Sequence, residues 1–521
     1  MITGRPAVRV FSFFLALYAL TSSGNAFRVP DEFEVYFQAE HLVDAGDISV
    51  PQTLAITQGG QPIFFGKFGR DGRPYAPYGP GVGFLIVPFH LAGRLVARVA
   101  GVPRRLPPEG VAWEFLVGGI TTLAMAFAAA LAVAGCYRAC RALGGSVKRS
   151  FGIALILGTA TILWPYGTTL YSEAWLAAAF AWAAALTLEA RRDMSNARVR
   201  VAVAAALLAL AGLTKPTALV IAPGFVVAVL LDSHADRSVR WRTAIVLAAG
   251  IVVGALGQIG WNVARFGDAV DFGYNLGGMI PAPPARSFTL EQIPRGLFVQ
   301  LLTPGKSLFV WAPPVLLSLL ALRVCRSRER GLVTGLITAT LAALVFYAAF
   351  LFPEGGYAHG PRHLAPLVPL LMLPLAVPGV TIHRRAIIAC AIAGLIVSAL
   401  AVSISFLEDQ APVQADPRAT GPYYERVDPP PGRPWLRYRL DYVPFKTALT
   451  SGHWLASTRP AGNGPDFFAL HLARARQSMP GGAAIPAWLP WAVSLPWMVV
   501  LLTLVASAVR RKLPARVGSG S

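Results

Sequence analysis

An all-α polytopic membrane protein with about twelve transmembrane helices is what this sequence predicts, on three observations. Mean hydropathy is +0.54. Only 14% of the 521 residues are charged, against roughly 25% in an ordinary soluble domain. Apolar runs of helical length recur from one end to the other. The 50 glycines and 42 prolines suit that class, because spanning helices tolerate both better than soluble ones do. The formal net charge is +20. Its arginines sit in short clusters between apolar runs and are not interleaved with aromatics, so no nucleic-acid partner is expected. Cys136, Cys140, Cys325 and Cys390 fall at helix ends or inside a span, and no disulfide framework follows.

The first apolar segment, Val8 to Thr21, follows Arg5 and Arg9 and reads as a retained first helix. A signal peptide ending before Phe27 is the competing reading. Further candidate spans cover 112–135, 152–170, 173–190, 199–213, 215–231, 243–263, 307–322, 331–352, 361–379, 386–406 and 485–509. Several fall short of the ~20 residues that cross a bilayer, and 199–231 could be a broken hairpin.

Segment 81–99 has two readings. As a span it puts Arg138, Arg141, Lys148 and Arg149 outside; as an interfacial or re-entrant helix it puts them inside, with every later basic cluster to Lys512. The positive-inside rule prefers the second. Both termini are then cytoplasmic, and Arg94, Arg98, Arg104 and Arg105 stand outside, where anionic headgroups could meet them. Three regions result. A transmembrane module covers 1–406 and includes a long outer loop with juxtamembrane helices at 25–111. A small outer cap, α/β or irregular, covers 407–484 and contains the alternating run Trp435 to Val443. A last transmembrane helix and basic cytoplasmic tail cover 485–521.

Chemically capable residues gather in the outer loops. Pro30-Asp31-Glu32-Phe33-Glu34-Val35-Tyr36 places three carboxylates at a membrane boundary, where acidic groups are costly and are functional candidates. Pro30 suits a helix's first turn, and Asp31 and Glu34 share a face. The Gly/Pro-stiffened run Lys67 to Gly81 carries Arg70, Arg73, Tyr75 and Tyr78. It is either a tight surface loop with tyrosines at the headgroups or a phosphate-binding loop using Lys67, Arg70 and Arg73. Ser172-Glu173 is either a helix cap or the position of a second carboxylate. Lys215, before Pro216, could snorkel or neutralise a phosphate. Glu354, His359 and His363 make a divalent metal conceivable, although Gly360 and Pro361 break the helix between the histidines. Arg362, beside Tyr357 and His363, is an obligate cation at a membrane mouth and suits a lipid phosphate.

Pro30-Asp31-Glu32, followed by Ala45-Gly46-Asp47 and Pro51, resembles the first periplasmic loop of the GT-C glycosyltransferases. The likeness is to the branch with lipid A aminoarabinose transferase and the protein O-mannosyltransferases. Glu173, Lys215-Pro216 and Gly355-Gly356-Tyr357 to Arg362-His363 are similar to further family features. The resemblance implies a GT-C-like fold in the cytoplasmic (inner) membrane. It also implies a polyprenyl-phosphate sugar donor used on the outer face, an acceptor glycan, glycolipid or protein in cell-envelope glycan biosynthesis, and inversion at the anomeric carbon. Asp31 then stands where the family has its base, and Glu32 and Tyr36 flank it. The leaving phosphate would need cations, with Arg362, Lys215 and Arg73 first, and Lys67, Arg70 and His363 behind them. Glu173 would hold sugar hydroxyls or a metal. An envelope-polysaccharide polymerase or ligase is the closest alternative. A lipid-linked-sugar transporter is disfavoured by the lack of an internal repeat.

Overall fold

The computed structural model describes residues 4–24, 29–58, 61–62, 64–104, 111–274, 288–350, 352–353, 355–356, 358–403, 465, 467–478 and 481–510. Glu354, Tyr357, Arg105 and the run Trp435 to Val443 lie outside the described residues, as does most of the expected cap.

The protein is a helical, polytopic membrane protein. Seven described helices or helical segments are long and apolar enough to cross a bilayer. The chain opens with α1 (Gly4–Leu20), α2 (Pro30–Ala45), α3 (Pro80–Val99) and α4 (Val111–Ala142). It continues through α5 (Val147–Thr159), α6 (Leu163–Tyr166), α7 (Glu173–Arg192), α8 (Ala197–Thr214), α9 (Ala218–Ile221), α10 (Pro223–Leu230) and α11 (Arg237–Phe266). Then come α12 (Ile293–Leu302), α13 (Leu308–Trp311), α14 (Pro314–Arg328), α15 (Arg330–Ala348), α16 (Val368–Leu371) and α17 (Arg384–Ser403). Finally, α18 (Phe468–Ser478) and α19 (Leu489–Arg510) close the bundle. Two short antiparallel pairs decorate the first loop: β1 (Thr57–Gln58) with β2 (Gln61–Pro62), and β3 (Lys67–Phe68) with β4 (Pro74–Tyr75).

Each apolar run has helical structure, with boundaries set by local chemistry. Pro216 and Pro223 break the 215–231 run into α9 and α10, because proline removes a helix donor. The 361–379 run is a string of short pieces: a 3-10 turn at Arg362–Leu367, α16, and a second turn at Leu373–Ala376. Pro366, Pro369 and Pro374 prevent a continuous helix. This irregular backbone is buried almost throughout, the condition under which it survives at membrane depth.

Small residues bring the long helices together. The alanine-rich α4 is buried along most of its length, packed on α1, α3 and α7. On α11, Gly250 and Gly254 lie against Ala205 and Ala209 of α8. A Cβ at Gly250 would stand 2.3 Å from the Ala205 carbonyl oxygen. Two small residues four apart on facing helices permit that approach. Large apolar side chains remain exposed on α11 (Val252, Val253, Leu256), α17 (Ile392, Leu395, Ile396) and α19 (Val499, Leu502), as lipid-facing helices require.

Helix α3 is amphipathic in an unusual sense. Phe84, Leu91, Leu95 and Val99 form its exposed stripe, while His90 and Arg94 point inward and are buried. Arg94 donates to Asp44 at 2.6 Å, and Arg104 donates to the same carboxylate at 2.5 Å. The expected headgroup contact is therefore corrected for Arg94, which is buried on an acid of the protein's own, while Arg104 pairs with the same acid and stays half exposed.

Candidate active site

Helix α2 starts at Pro30, whose missing N–H costs nothing in a first turn, and ends on Gly46 in a left-handed conformation (φ 74°). That start aims Asp31 across the end of the bundle. Glu173 opens α7, and Lys215 follows the last residue of α8. Arg362 begins the proline-rich 3-10 turn. These four residues, drawn from distant parts of the chain, meet.

Arg362 is the centre. Its Nη2 donates to Asp31 Oδ1 at 2.6 Å and its Nε to Glu173 Oε1 at 2.8 Å. The same Glu173 oxygen accepts from Lys215 Nζ at 2.7 Å. Beneath the guanidinium lies the Tyr171 ring, 4.2 Å from Cζ, a cation–π contact that also orients the planar group. Glu173 is 1% exposed and Arg362 7%. Buried charge at this depth is tolerable only because each group is paired and hydrogen-bonded. Ser172 makes no capping bond to the α7 backbone; its hydroxyl lies 3.5 Å from Glu173 Oε2, and the two cations hold Oε1.

Asp31, Tyr78, Tyr171, Lys215, Tyr274 and Arg362 line a cleft with Gly79, Thr214 and Pro216. Its closed space is about 30 Å³, room for a water-sized group. Tyr78 turns a buried hydroxyl without a hydrogen-bond partner into this region. Burial, then the charges of Asp31 and Glu34, push its phenol up. Glu34 accepts from the Phe65 amide at 2.8 Å through Oε1, while its buried Oε2 has no partner. Burial raises that carboxyl well above its usual range, with the Asp31 charge adding to the effect and the Phe65 amide opposing it.

A second, apolar cleft of about 350 Å³ adjoins the first, with Thr214 in the lining of both. Trp175, Ala178, Ala179, Trp182 and Leu186 of α7 face Val203, Leu207 and Leu210 of α8 across it. From Trp175 to Leu186 its wall runs ~16 Å along α7.

The other expected site residues are placed elsewhere. Glu32 accepts from the Leu170 amide at 3.3 Å and so supports the turn under Arg362. Tyr36 points to the opposite face of α2, donating to Glu114 at 2.9 Å. Lys67 pairs with Asp271. The Arg70 side chain lies over Gly267. Arg73 pairs with Asp47 at 2.7 Å, and Tyr75 donates to Asp71 at 2.8 Å. None of these four lines the cleft, because each cation of the loop has an acid or a glycine turn of its own to pack on. The His363 ring stacks on Tyr347 at 4.2 Å, whereas the His359 ring lies 5.5 Å from Trp311. The two imidazoles have separate aromatic partners, and among the described residues no group of three metal-ligating side chains forms.

Sequence reasoning did not single out Tyr171 or Tyr274, since nothing in the linear pattern signals an aromatic under a guanidinium nearly two hundred residues away. No family model matches the sequence, and no curated protein matches it. Among solved structures, the chain is loosely similar to a crystal structure of ArnT from Cupriavidus metallidurans in the apo state. The TM-score is 0.42 and the identity 15%, over 95% of this chain and 76% of that one.

Proposed function

We propose that the protein is a membrane glycosyltransferase of GT-C type that moves a sugar from a polyprenyl-phosphate carrier to an acceptor hydroxyl on the outer face of the cytoplasmic membrane. The observation that carries this reading is the Asp31–Arg362–Glu173–Lys215 cluster, opening beside an apolar cleft in the wall of the bundle. An amphiphile with an anionic head and a long apolar tail matches that pair of surfaces. The motif resemblance around Asp31 points to the same class.

In this mechanism Asp31 is the general base. Its Oδ1 is occupied by Arg362, which leaves Oδ2 for the proton of the attacking hydroxyl. The acceptor oxygen bonds to the anomeric carbon as the bond to the phosphate oxygen breaks on the opposite face, which inverts the centre. The bonding electron pair leaves with the lipid phosphate, and its growing charge meets Arg362 and Lys215. Arg362 spends Nε and Nη2 on carboxylates and keeps the N–H groups of Nη1 for that charge, while Lys215 has two further N–H groups. Glu173 keeps both cations in place before the donor arrives. Tyr78 is the neutral donor for a sugar hydroxyl.

Purified protein supplied with a polyprenyl-phosphate sugar and an acceptor glycolipid should release sugar-free polyprenyl phosphate. Absence of that release across pentose, hexose and amino-sugar donors would overturn the reading. Movement of intact donor across a vesicle membrane would indicate a transporter.

A further inference from the structure

The cation at the centre of the site follows residues 355, 356 and 358–361, which form neither helix nor strand. Residues 355–361 contain three glycines in the left-handed region, Gly355, Gly356 and Gly360. A Cβ at Gly355 would stand 2.6 Å from Arg362 Cβ, and one at Gly360 2.5 Å from the Trp311 ring. The backbone comes close to Arg362 at Gly355 and to Trp311 at Gly360, and the buried carbonyls of the described residues need donors from elsewhere.

Those donors are side chains of neighbouring elements. Buried Lys306, just before α13, donates through Nζ to the Ala358 carbonyl at 2.5 Å and reaches the Gly356 carbonyl at 3.4 Å. The Tyr166 hydroxyl donates to the His359 carbonyl at 2.7 Å. Gln300 donates to the Pro353 carbonyl at 3.1 Å.

We infer that Lys306 and Tyr166 are positioning residues that set where the Arg362 guanidinium stands in the phosphate-binding cleft. Neither lines the cleft, so both act through Arg362. The inference rests on the lipid-phosphate reading for its consequence, though the clamp itself does not depend on it. A displacement of ~1 Å at such a group is enough to cost about 100-fold in a transfer step.

The test is a double-mutant cycle on binding of a sugar-free polyprenyl phosphate to the purified full chain in detergent, with amide exchange of residues 358–363 followed in parallel. Lys306→Met is expected to weaken binding ~10-fold and to speed exchange of those amides, and Lys306→Arg, which keeps a donor for the carbonyls, to restore both. On an Arg362→Ala background the same Lys306→Met change should alter binding less than about twofold, because groups acting through one another are not additive. Full loss on that background, or no loss on the native one, overturns the inference. If the native chain binds no polyprenyl phosphate, the functional reading fails and exchange alone judges the clamp. Unchanged exchange in Lys306→Met then overturns it, and faster exchange reversed by Lys306→Arg supports it. Should Lys306→Met fail to fold, Tyr166→Phe, which removes a single hydrogen bond, takes its place in the same cycle.

Discussion

Arg362 Nη2 and Asp31 Oδ1 lie 2.6 Å apart although 331 positions separate them in the chain. This contact makes the acid at the start of α2 and the cation at the start of the last irregular run a single unit. Replacing Asp31 by Asn keeps the shape and removes the proposed proton acceptor. Transfer should fall by about 10²–10⁴-fold, with thermal unfolding and donor binding close to native. A variant that turns over at the native rate would remove Asp31 from the mechanism.

Arg362 and Glu173 should not respond equally to conservative and drastic change. Arg362→Ala leaves Glu173, 1% exposed, with Lys215 as its one remaining cation. Stability should drop by ~3–5 kcal/mol, the typical result of stranding a buried charge. Arg362→Lys keeps the charge but cannot serve two carboxylates and the cleft at once, so it should unfold later than the alanine variant yet remain poor in transfer. Thermal unfolding and activity of the two variants check both halves.

A pH effect should arise on the far face of α2. Glu40 is buried, accepts from Gln52 at 3.1 Å, and shares a hydrogen bond with Glu114, which also accepts from Tyr36. Burial, followed by the Glu114 and Asp44 charges, raises Glu40 from 4.5 to about 8, with Arg104 opposing. A carboxyl raised on folding contributes stability that is complete below its unfolded value and is lost as pH rises through about 8. Unfolding temperature in detergent should therefore decline from mildly acid to mildly alkaline pH. Glu40→Gln should flatten that slope, and an unchanged slope would assign it to other groups.

Gly79 is required by a close approach. A Cβ there would stand 2.1 Å from the Leu213 carbonyl oxygen, and one at Gly81 2.6 Å from Thr214 Oγ1. Gly79→Ala must push the 76–81 turn away from the end of α8, moving Tyr78 relative to Lys215. Activity should fall at least ~10-fold, measured alongside Gly260→Ala, where nothing lies within 4 Å of the added methyl, as the neutral control.

The basic first loop shows how far a linear pattern reaches. By sequence, Arg73 ranks with Lys215 and Arg362 as a phosphate ligand, with Lys67 and Arg70 behind them. The folded chain gives Lys67 to Asp271 and Arg73 to Asp47. A cation's partner is a matter of three-dimensional neighbourhood, and sequence spacing says nothing about an acid two hundred residues away.

What could be known from the chain alone was what depends on local chemistry and on solvent. Apolar runs must become helices in a bilayer, proline must begin or break them, and a charge at the end of such a run must have a reason to be there. These arguments located α2 and the break at Pro216, and put Asp31, Glu173, Lys215 and Arg362 among the candidate site residues, but they took 361–379 as one span where the chain forms short pieces. They could not say that the four form one hydrogen-bonded unit, that Tyr171 lies beneath it, or that Tyr36 turns away to Glu114. Those facts follow from how α4, α7 and α8 pack, and packing is set by small residues whose contacts are invisible until the helices are brought together.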